Sequence, residues 1–261
     1  MWVGTAINHL FNDGRISTIE VAQIGQYAEN KHFGKPCGLE DQMAIAVGGI
    51  VGIDFADNEN PQVTKIESSI PGYTLCVIDS GADHADLTGE YAAIRSEMEL
   101  IAGFFGKNTL REVDKNRFMK NISQLRAAFG DRPVLRAMHF FADNERAVQE
   151  RDAVKAGDIK RFLSLVNASG RSSFMYLQNV YVPGAVDHQA LPVCLAMCDE
   201  LMDGDGAFRI QGGGFAGTVE AFVPDHMLER FISKMEEVLI RGSCHVLSIR
   251  PLGAVRLDVR F

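Results

Sequence analysis

The sequence lacks any apolar run of the roughly 20 residues that a membrane-spanning helix needs. Its N-terminus also lacks the basic, apolar and small-residue succession of a signal peptide. Positive charge is in deficit, with 26 Lys and Arg against 34 Asp and Glu and a formal net charge of −8. These absences argue against a helical membrane protein and against a surface that binds nucleic acid non-specifically. We therefore expect a cytoplasmic protein that binds neither membrane nor nucleic acid.

Cysteine is scarce and is not arranged in C-x-x-C pairs. The chain has five cysteines, and an odd number of isolated thiols is typical of core packing in a reducing compartment. Cys194 and Cys198 lie one helical turn apart, but no neighbouring His or Cys completes a zinc set. We therefore predict no metal site.

A short segment, Cys37–Gln42, combines a helix break with two acids. Gly38 favours a break because glycine tolerates unusual dihedrals, and residues 39–47 predict a short, mostly apolar helix. Glu40 and Asp41 then fall in its first turn, where unsatisfied N–H groups favour the ionised carboxylate. These residues are either ordinary first-turn acids or a carboxylate that orients or deprotonates a hydroxyl.

The first part of the chain predicts helices followed by a hairpin. Apolar residues at helical spacing from Trp2 to Phe11 predict a helix without an N-cap, and Ser17 with Glu20 forms a capping box for the next one. Residues 48–67 predict two strands around a turn. We place a domain boundary near residue 70, which gives domains 1–70 and 71–261.

The second part predicts a ferredoxin-like order. Strands are expected at 73–79, 207–211, 217–223 and 244–250, with a helix at 225–240 and a helix-rich insert between the first two strands. Residues 169–186 mix aromatic residues with Pro183-Gly184 and predict a loop between helices. The whole chain therefore belongs to the α/β (α+β) class.

The glycine run Gly212–Gly217 contains G-x-G-x-x-G, the pattern of dinucleotide-binding loops. That fingerprint needs a following helix, whereas residues 217–223 alternate as a strand, so we reject a dinucleotide site here. The run is then a hairpin turn, either purely structural or placed against phosphates that its backbone amides could approach.

Three segments resemble galactokinases, members of the GHMP small-molecule kinase family. Cys37–Gln42 is similar to their C-G-x-x-D-Q motif, and Phe208–Gly217 to R-x-T-G-G-G-F-G-G, with Gln211 and Ala216 as departures. Asp79–Tyr91 resembles N-[ST]-x-x-x-H-x-L-x-x-S-x-Y. The family's S-H-x-S-L-R-D-D-Y-x-V-S segment corresponds to residues 169–180, where the paired acids are missing.

The resemblance implies roles for individual residues. Asp41 would be the catalytic carboxylate, and Gly38, Cys37 and Tyr91 would contact the sugar. Gly212, Gly213 and Gly214 would lie at the nucleotide, with ATP and Mg²⁺ as cofactors. The implied activity is ATP-dependent phosphorylation of the anomeric hydroxyl of galactose or a related sugar, on a GHMP kinase-like fold.

The family's opening motif and its phosphate loop, G-x-G-L-S-S-S-A, have no match in this sequence. We therefore expect the chain to carry only part of the N-terminal lobe and to be inactive alone. We also expect its first apolar helix to be covered by a second copy, in a homodimer. The alternatives are a non-catalytic sugar-binding or regulatory relative, and a kinase for an amino sugar or another monosaccharide.

Overall fold

The structure, a computed structural model, describes residues 1–34, 37–57, 59–82 and 87–257. Its contacts divide the chain into two compact units. Unit 1 comprises Met1–Ser68 with Ile249–Phe261, and unit 2 comprises Ser69–Ser248. The tail from Ile249, which the sequence predicts to be part of the second domain, has its contacts within the first unit. The domain boundaries themselves stay a prediction.

Unit 1 consists of three helices and a hairpin: α1 (Trp2–Asn12), α2 (Thr18–Lys31), α3 (Glu40–Val47), β1 (Ile50–Asp54) and β2 (Gln62–Ile66). The Ser17 hydroxyl accepts from the backbone N–H of Glu20 at 3.2 Å, and the Glu20 carboxylate accepts from the N–H of Ser17 at 2.9 Å. The predicted capping box is therefore present. The two strands pair antiparallel, with Gly52 opposite Thr64.

The tail packs closely on the end of α3 and on the hairpin. The N–H of Gly49 donates to the carbonyl of Arg250 at 2.8 Å, and Lys65 Nζ donates to the carbonyl of Pro251 at 2.6 Å. A Cβ added at Gly253 would lie 1.9 Å from the carbonyl oxygen of Ala46. Only glycine therefore allows the tail to approach α3 this closely.

α1 exposes the apolar side chains that give it helical periodicity. Trp2 is 69% exposed and Phe11 is 83% exposed, while the buried residue of the helix is the polar Asn8. Asn8 donates to the carbonyl of Ile16 at 2.8 Å and accepts from the N–H of the same residue at 3.2 Å. α1 is therefore joined to its unit by a polar contact, and its apolar stripe faces outward.

Unit 2 is built on a four-stranded antiparallel sheet with strand order β4–β5–β3–β6. Its strands are β3 (Tyr73–Asp79), β4 (Ala207–Ile210), β5 (Thr218–Pro224) and β6 (Cys244–Leu247). This order, with the first strand in the middle between the third and the fourth, confirms the predicted ferredoxin-like arrangement. α9 (Ala190–Met202) and α10 (Leu228–Val238) contribute to the main core cluster, in which Cys76, Cys198 and Phe231 are buried.

The insert between β3 and β4 is helical, as predicted. It contains α4 (Thr88–Phe104), α5 (Lys115–Lys120), α6 (Ile122–Phe129), α7 (Asp131–Ala156) and α8 (Ile159–Ser172). The expectation of a loop from residue 169 is wrong at its start, because α8 runs to Ser172 and continues as a π-helical turn, Ser173–Leu177. Across the described ranges, no helix combines the length and the apolar character required to cross a membrane.

Candidate active site

The segment Cys37–Gln42 is held against α2 by side-chain amides. Asn30 Oδ1 accepts from the N–H of Cys37 at 2.8 Å, and Gln26 Nε2 donates to the carbonyl of Cys37 at 3.2 Å. Gln42 donates to Glu29 at 3.1 Å, so the start of α3 is also joined to α2. These contacts fix the backbone on which the predicted sugar and catalytic residues lie.

Asp41 lies in the first turn of α3 and is exposed, whereas Leu39 and Met43 on either side of it are buried. The carboxylate is thus carried by a helix whose opposite face is packed into the core of unit 1. Gly38 has no described atom within 4 Å of an added Cβ. Protein packing therefore does not require glycine at this position.

The predicted glycine turn connects β4 and β5. Gly212 and Gly214 have left-handed φ angles of 69° and 82°, as does Phe215 at 62°. A Cβ at Gly213 would lie 2.6 Å from Cε1 of Tyr91, and one at Gly214 would lie 2.0 Å from the carbonyl oxygen of Asn179. Close contacts within the protein therefore explain why positions 213 and 214 are occupied by glycine.

Gly212 differs from the next two glycines, since no described atom lies within 4 Å of an added Cβ. Space beside an exposed glycine suits an anion that approaches the backbone. The left-handed φ favours glycine at position 212, and the open space beside it leaves room for a phosphate at the backbone.

Tyr91, in the first turn of α4, lies directly on this turn. Its hydroxyl donates to the carbonyl of Gly214 at 2.8 Å, and its ring contacts Phe215 edge to face with centroids 5.5 Å apart. Burial raises the pKa of the phenol above its usual value of 10.0. Two sets of predicted residues, Tyr91 and Gly212–Gly214, are thus brought together in unit 2. Asp41, Gly38 and Cys37 lie in unit 1.

The sequence also singled out His84 and Gln211, and the structure describes the second of them. His84, in the segment that resembles the sugar-tyrosine motif, lies outside the described residues. Gln211, which replaces a small hydroxyl residue of the family, extends along the hairpin and accepts from the Thr218 hydroxyl at 2.8 Å. Its long side chain therefore bonds across the two strands.

Asn179, which the sequence analysis did not single out, contacts both sides of the glycine turn. Its side-chain Nδ2 donates to the carbonyl of Gly213 at 2.9 Å, and its carbonyl accepts from the N–H of Phe215 at 2.5 Å. It lies 34 residues from Gly213 in the chain. No local pattern could have indicated this contact.

A buried polar network joins α7 to α8. His139 Nδ1 lies 2.9 Å from Ser172 Oγ, and its Nε2 lies 3.5 Å from an Asp143 oxygen. Burial lowers the pKa of His139, although Asp143 opposes the change. Because Ser172 is only 3% exposed, this Ser–His–Asp arrangement cannot meet a substrate in the described fold. Its role is to connect the helices.

The same network reaches β4 through Arg209. Arg209 Nη1 donates to Ser169 Oγ at 2.7 Å, and Ser169 donates to Asp143 at 2.7 Å. Burial alone would raise the pKa of Asp143, but His139, Ser169 and Arg209 together outweigh it and lower the pKa. The strand that leads into the glycine turn is therefore anchored to two helices.

Four cysteine side chains lie in or against the main core cluster of unit 2. The hydrogen bond that the Cys198 thiol makes with Cys194, together with burial, raises the pKa of Cys198, and burial raises the pKa of Cys76 and of Cys244 to about 11. Thiols with raised pKa values are poor nucleophiles and poor ligands. Within the residues that the structure describes, no group of three or more His, Cys, Asp or Glu is arranged to hold a metal ion.

Comparison with known proteins relates the chain to sugar kinases. Residues 1–49 match the family described as GHMP kinases N terminal domain. The galactokinase of Actinobacillus pleuropneumoniae is 31% identical over 221 residues, which are 84% of this chain and 55% of that protein. The galactokinase of Mannheimia succiniciproducens is 30% identical over 226 residues, covering 85% of this chain and 54% of that protein. The chain thus spans about half the length of the curated relatives it matches.

Two solved structures show what fold the chain has. The structure of Lactococcus lactis galactokinase complexed with galactose matches with a TM-score of 0.78 at 22% identity, over 98% of this chain and 65% of that one. L. major mevalonate kinase in complex with R-mevalonate matches with a TM-score of 0.58 at 15% identity, over 95% of this chain and 63% of that one. At such identities these matches show the fold. The resemblance indicated by the motifs is therefore confirmed: the chain has the fold of GHMP kinases and resembles galactokinases over the part of them that it spans.

Proposed function

We propose that this chain provides the sugar site and the catalytic carboxylate of an ATP-dependent sugar kinase, acting on the anomeric hydroxyl of galactose or a related sugar. One observation carries the proposal: the open space beside Gly38 and the exposed carboxylate of Asp41 lie within one fixed segment. An open glycine leaves room for a ligand at the backbone, and a carboxylate on a rigid helix start can accept a proton from a hydroxyl.

In the proposed reaction the anomeric hydroxyl oxygen forms a bond to the γ-phosphorus of ATP, and Asp41 accepts its proton. The bond from phosphorus to the β–γ bridging oxygen breaks, and its electron pair leaves with ADP. By the resemblance, Cys37, Gly38 and Tyr91 belong to the sugar side of this reaction, and Gly212–Gly214 to the nucleotide side. Mg²⁺ belongs to the proposal as the ion that accompanies ATP in phosphoryl transfer.

Galactose binding tests the sugar site directly. An added methyl at Gly38 meets no described atom, so Gly38→Ala should fold as the parent does and weaken galactose binding at least about tenfold. Gly103→Ala is the matched control, because Gly103 also has open space around an added Cβ but lies late in α4. Isothermal titration measures both. Equal galactose affinity in all three proteins would overturn the sugar site.

The alternative functions separate in the same experiment. Titration of a panel of hexoses and amino sugars identifies the sugar, and ATP consumption is followed in parallel for the parent and Asp41→Asn. Sugar binding without ATP consumption in either protein favours the non-catalytic sugar-binding relative over the kinase. Turnover that Asp41→Asn abolishes supports the kinase, and no binding of any sugar refutes the proposal.

The location and the assembly of the protein belong to the same proposal. The buried thiols Cys76, Cys194 and Cys198 support a reducing, cytoplasmic location. The exposed apolar stripe of α1 supports a homodimer in which two copies cover it, since apolar area of this size is costly in water. Analytical ultracentrifugation at micromolar concentration measures the assembly, and a well-behaved monomer would contradict it.

A further inference from the structure

The glycine turn is held from two sides by residues far apart in the chain. On one side Asn179 bonds to the carbonyl of Gly213 and to the N–H of Phe215. On the other side the Tyr91 hydroxyl bonds to the carbonyl of Gly214, which lies between those two residues. Because the carbonyl of Gly214 and the N–H of Phe215 belong to one peptide group, Asn179 and Tyr91 together hold two consecutive peptide groups of the turn.

Asn179 is itself held rigidly. It is 2% exposed and follows Gln178, whose φ of 57° ends the π-helical turn Ser173–Leu177. The N–H of Gln178 donates to the carbonyl of Ser173 at 2.8 Å, which closes this turn. A buried side chain that follows a closed turn has little freedom to leave its partners.

The support of Asn179 returns to the helix that carries Tyr91. Arg136, fully buried on α7, donates through Nε to the carbonyl of Leu177 at 3.1 Å. Its Nη1 lies 3.0 Å from a carboxylate oxygen of Glu97, which is on α4 together with Tyr91. Hydrogen bonds and the short backbone stretches between them thus connect α4 through Arg136 and Leu177 to Asn179, and from there through the turn back to Tyr91.

We propose that Asn179 is a positioning residue: its side-chain amide fixes the carbonyl of Gly213, its backbone carbonyl fixes the N–H of Phe215, and the carbonyl of Gly214, in the same peptide group as that N–H, sets where the Tyr91 hydroxyl lies. The inference rests on the proposed function only in assigning Tyr91 to the sugar. Replacing the Asn179 side chain removes the buried donor to the Gly213 carbonyl but keeps the backbone bond from the Phe215 N–H, so the Gly213 carbonyl can turn and tilt the following peptide group relative to Tyr91. The hydrogen bond from the phenol to the Gly214 carbonyl then changes in length and direction.

The test compares two asparagines that make the same kind of bond. Asn179→Ala removes the donor to the carbonyl of Gly213. Asn167→Ala removes a donor to the carbonyl of Gly206 at 3.0 Å in the same unit, and with it an acceptor for the N–H of Phe208 at 3.0 Å, so this control loses at least as many bonds without touching the turn. The first readout is the NMR signal of ¹³Cζ-labelled tyrosine, with Tyr91 assigned from Tyr91→Phe. We expect the Tyr91 signal to move toward that of free tyrosine in Asn179→Ala and to stay in place in Asn167→Ala.

The second readout is galactose affinity, expected to fall at least about tenfold in Asn179→Ala and less than about twofold in Asn167→Ala. A merely structural role for Asn179 would lower stability in both variants and leave the Tyr91 signal unchanged, which would overturn the proposal. If Asn179→Ala is insoluble, Asn179→Ser serves instead, because its short hydroxyl cannot replace the amide at Gly213. If the parent binds no galactose, the proposed function fails, while the Tyr91 signal still decides the role of Asn179.

Discussion

Glu150 lies on α7 with one carboxyl oxygen buried and without a hydrogen-bond partner among the described residues. Burial raises its pKa from 4.5 to about 7. Nearby Asp143 and Glu220 add to the increase, while Arg209 and Arg146 oppose it. The folded protein therefore binds the proton of Glu150 more tightly than the unfolded chain does.

The sign of the effect on stability follows from this order of pKa values. The stability that the protonated Glu150 side chain contributes to the folded state is fully present below pH 4.5. It is lost as the pH rises toward about 7, and above that pH it does not return. Each pKa unit corresponds to about 1.4 kcal/mol, so the loss is on the order of 3 kcal/mol at most. Glutamine cannot ionise. Glu150→Gln should therefore match the parent at about pH 5 and exceed its free energy of unfolding by about 2–3 kcal/mol at about pH 8.

Urea unfolding followed by far-UV circular dichroism measures this difference at several pH values. The single tryptophan, Trp2, lies in unit 1 and Glu150 lies in unit 2, so circular dichroism, to which the helices of unit 2 contribute, is the signal to follow. Glu145→Gln is the matched control, since Glu145 is on the same helix but exposed, with its ion pair to Lys115 at 2.7 Å. Titration of His139 is common to all three proteins and cancels in the differences. A Glu150→Gln effect that is constant between the two pH values would refute the reasoning.

The remaining predictions concern one residue each. Asp41→Asn should change the free energy of unfolding by less than about 0.5 kcal/mol. In any form of the protein that has kinase activity, it should lower turnover roughly 10²–10⁴-fold, and near-parental rates in a coupled ATP assay would reject the catalytic role. Gly213→Val places carbon 2.6 Å from Tyr91, so soluble yield or nucleotide affinity should fall sharply, and parental values of both would mean a loose turn. Gly253→Ala should destabilise unit 1 by about 1–3 kcal/mol, because its methyl would meet the carbonyl of Ala46; unchanged unfolding by Trp2 fluorescence would contradict this.

Features encoded by neighbouring residues could be predicted from the sequence. The capping box of Ser17 and Glu20 needs only a spacing of three residues, and the hairpin of β1 and β2 needs only two short apolar runs around a turn. The strand order of unit 2 followed from the succession of strands and helices, because few topologies satisfy it. Asp41 was found in the first turn of α3, as the acids after Gly38 indicated.

Features that depend on distant contacts could not be predicted. Residues 169–177 have weak helical signals, and they are helical because α8 packs on β4: a Cβ at Gly170 would lie 2.9 Å from the carbonyl oxygen of Phe208. Arg136 stabilises the end of this segment by its bond to Leu177. Tertiary packing determines the secondary structure of such segments more than intrinsic helix propensity does. The attachment of the tail to Gly49 is a contact of the same kind.

The departures from the galactokinase motifs concern how the glycine turn is held. Gly170 stands where the family motif has histidine, and any side chain there would meet β4. Met175, within the stretch that lacks the paired acids, is exposed, whereas Asn179, four residues later, is buried against the turn. Gln211 bonds to Thr218 across the hairpin. Because Asn179 bonds the backbone of the turn and Gln211 bonds across the hairpin that carries it, a change in sugar preference relative to galactokinases would act through the placement of that turn and of Tyr91. Sugar preference and the Tyr91 signal should therefore change together when Asn179 is replaced.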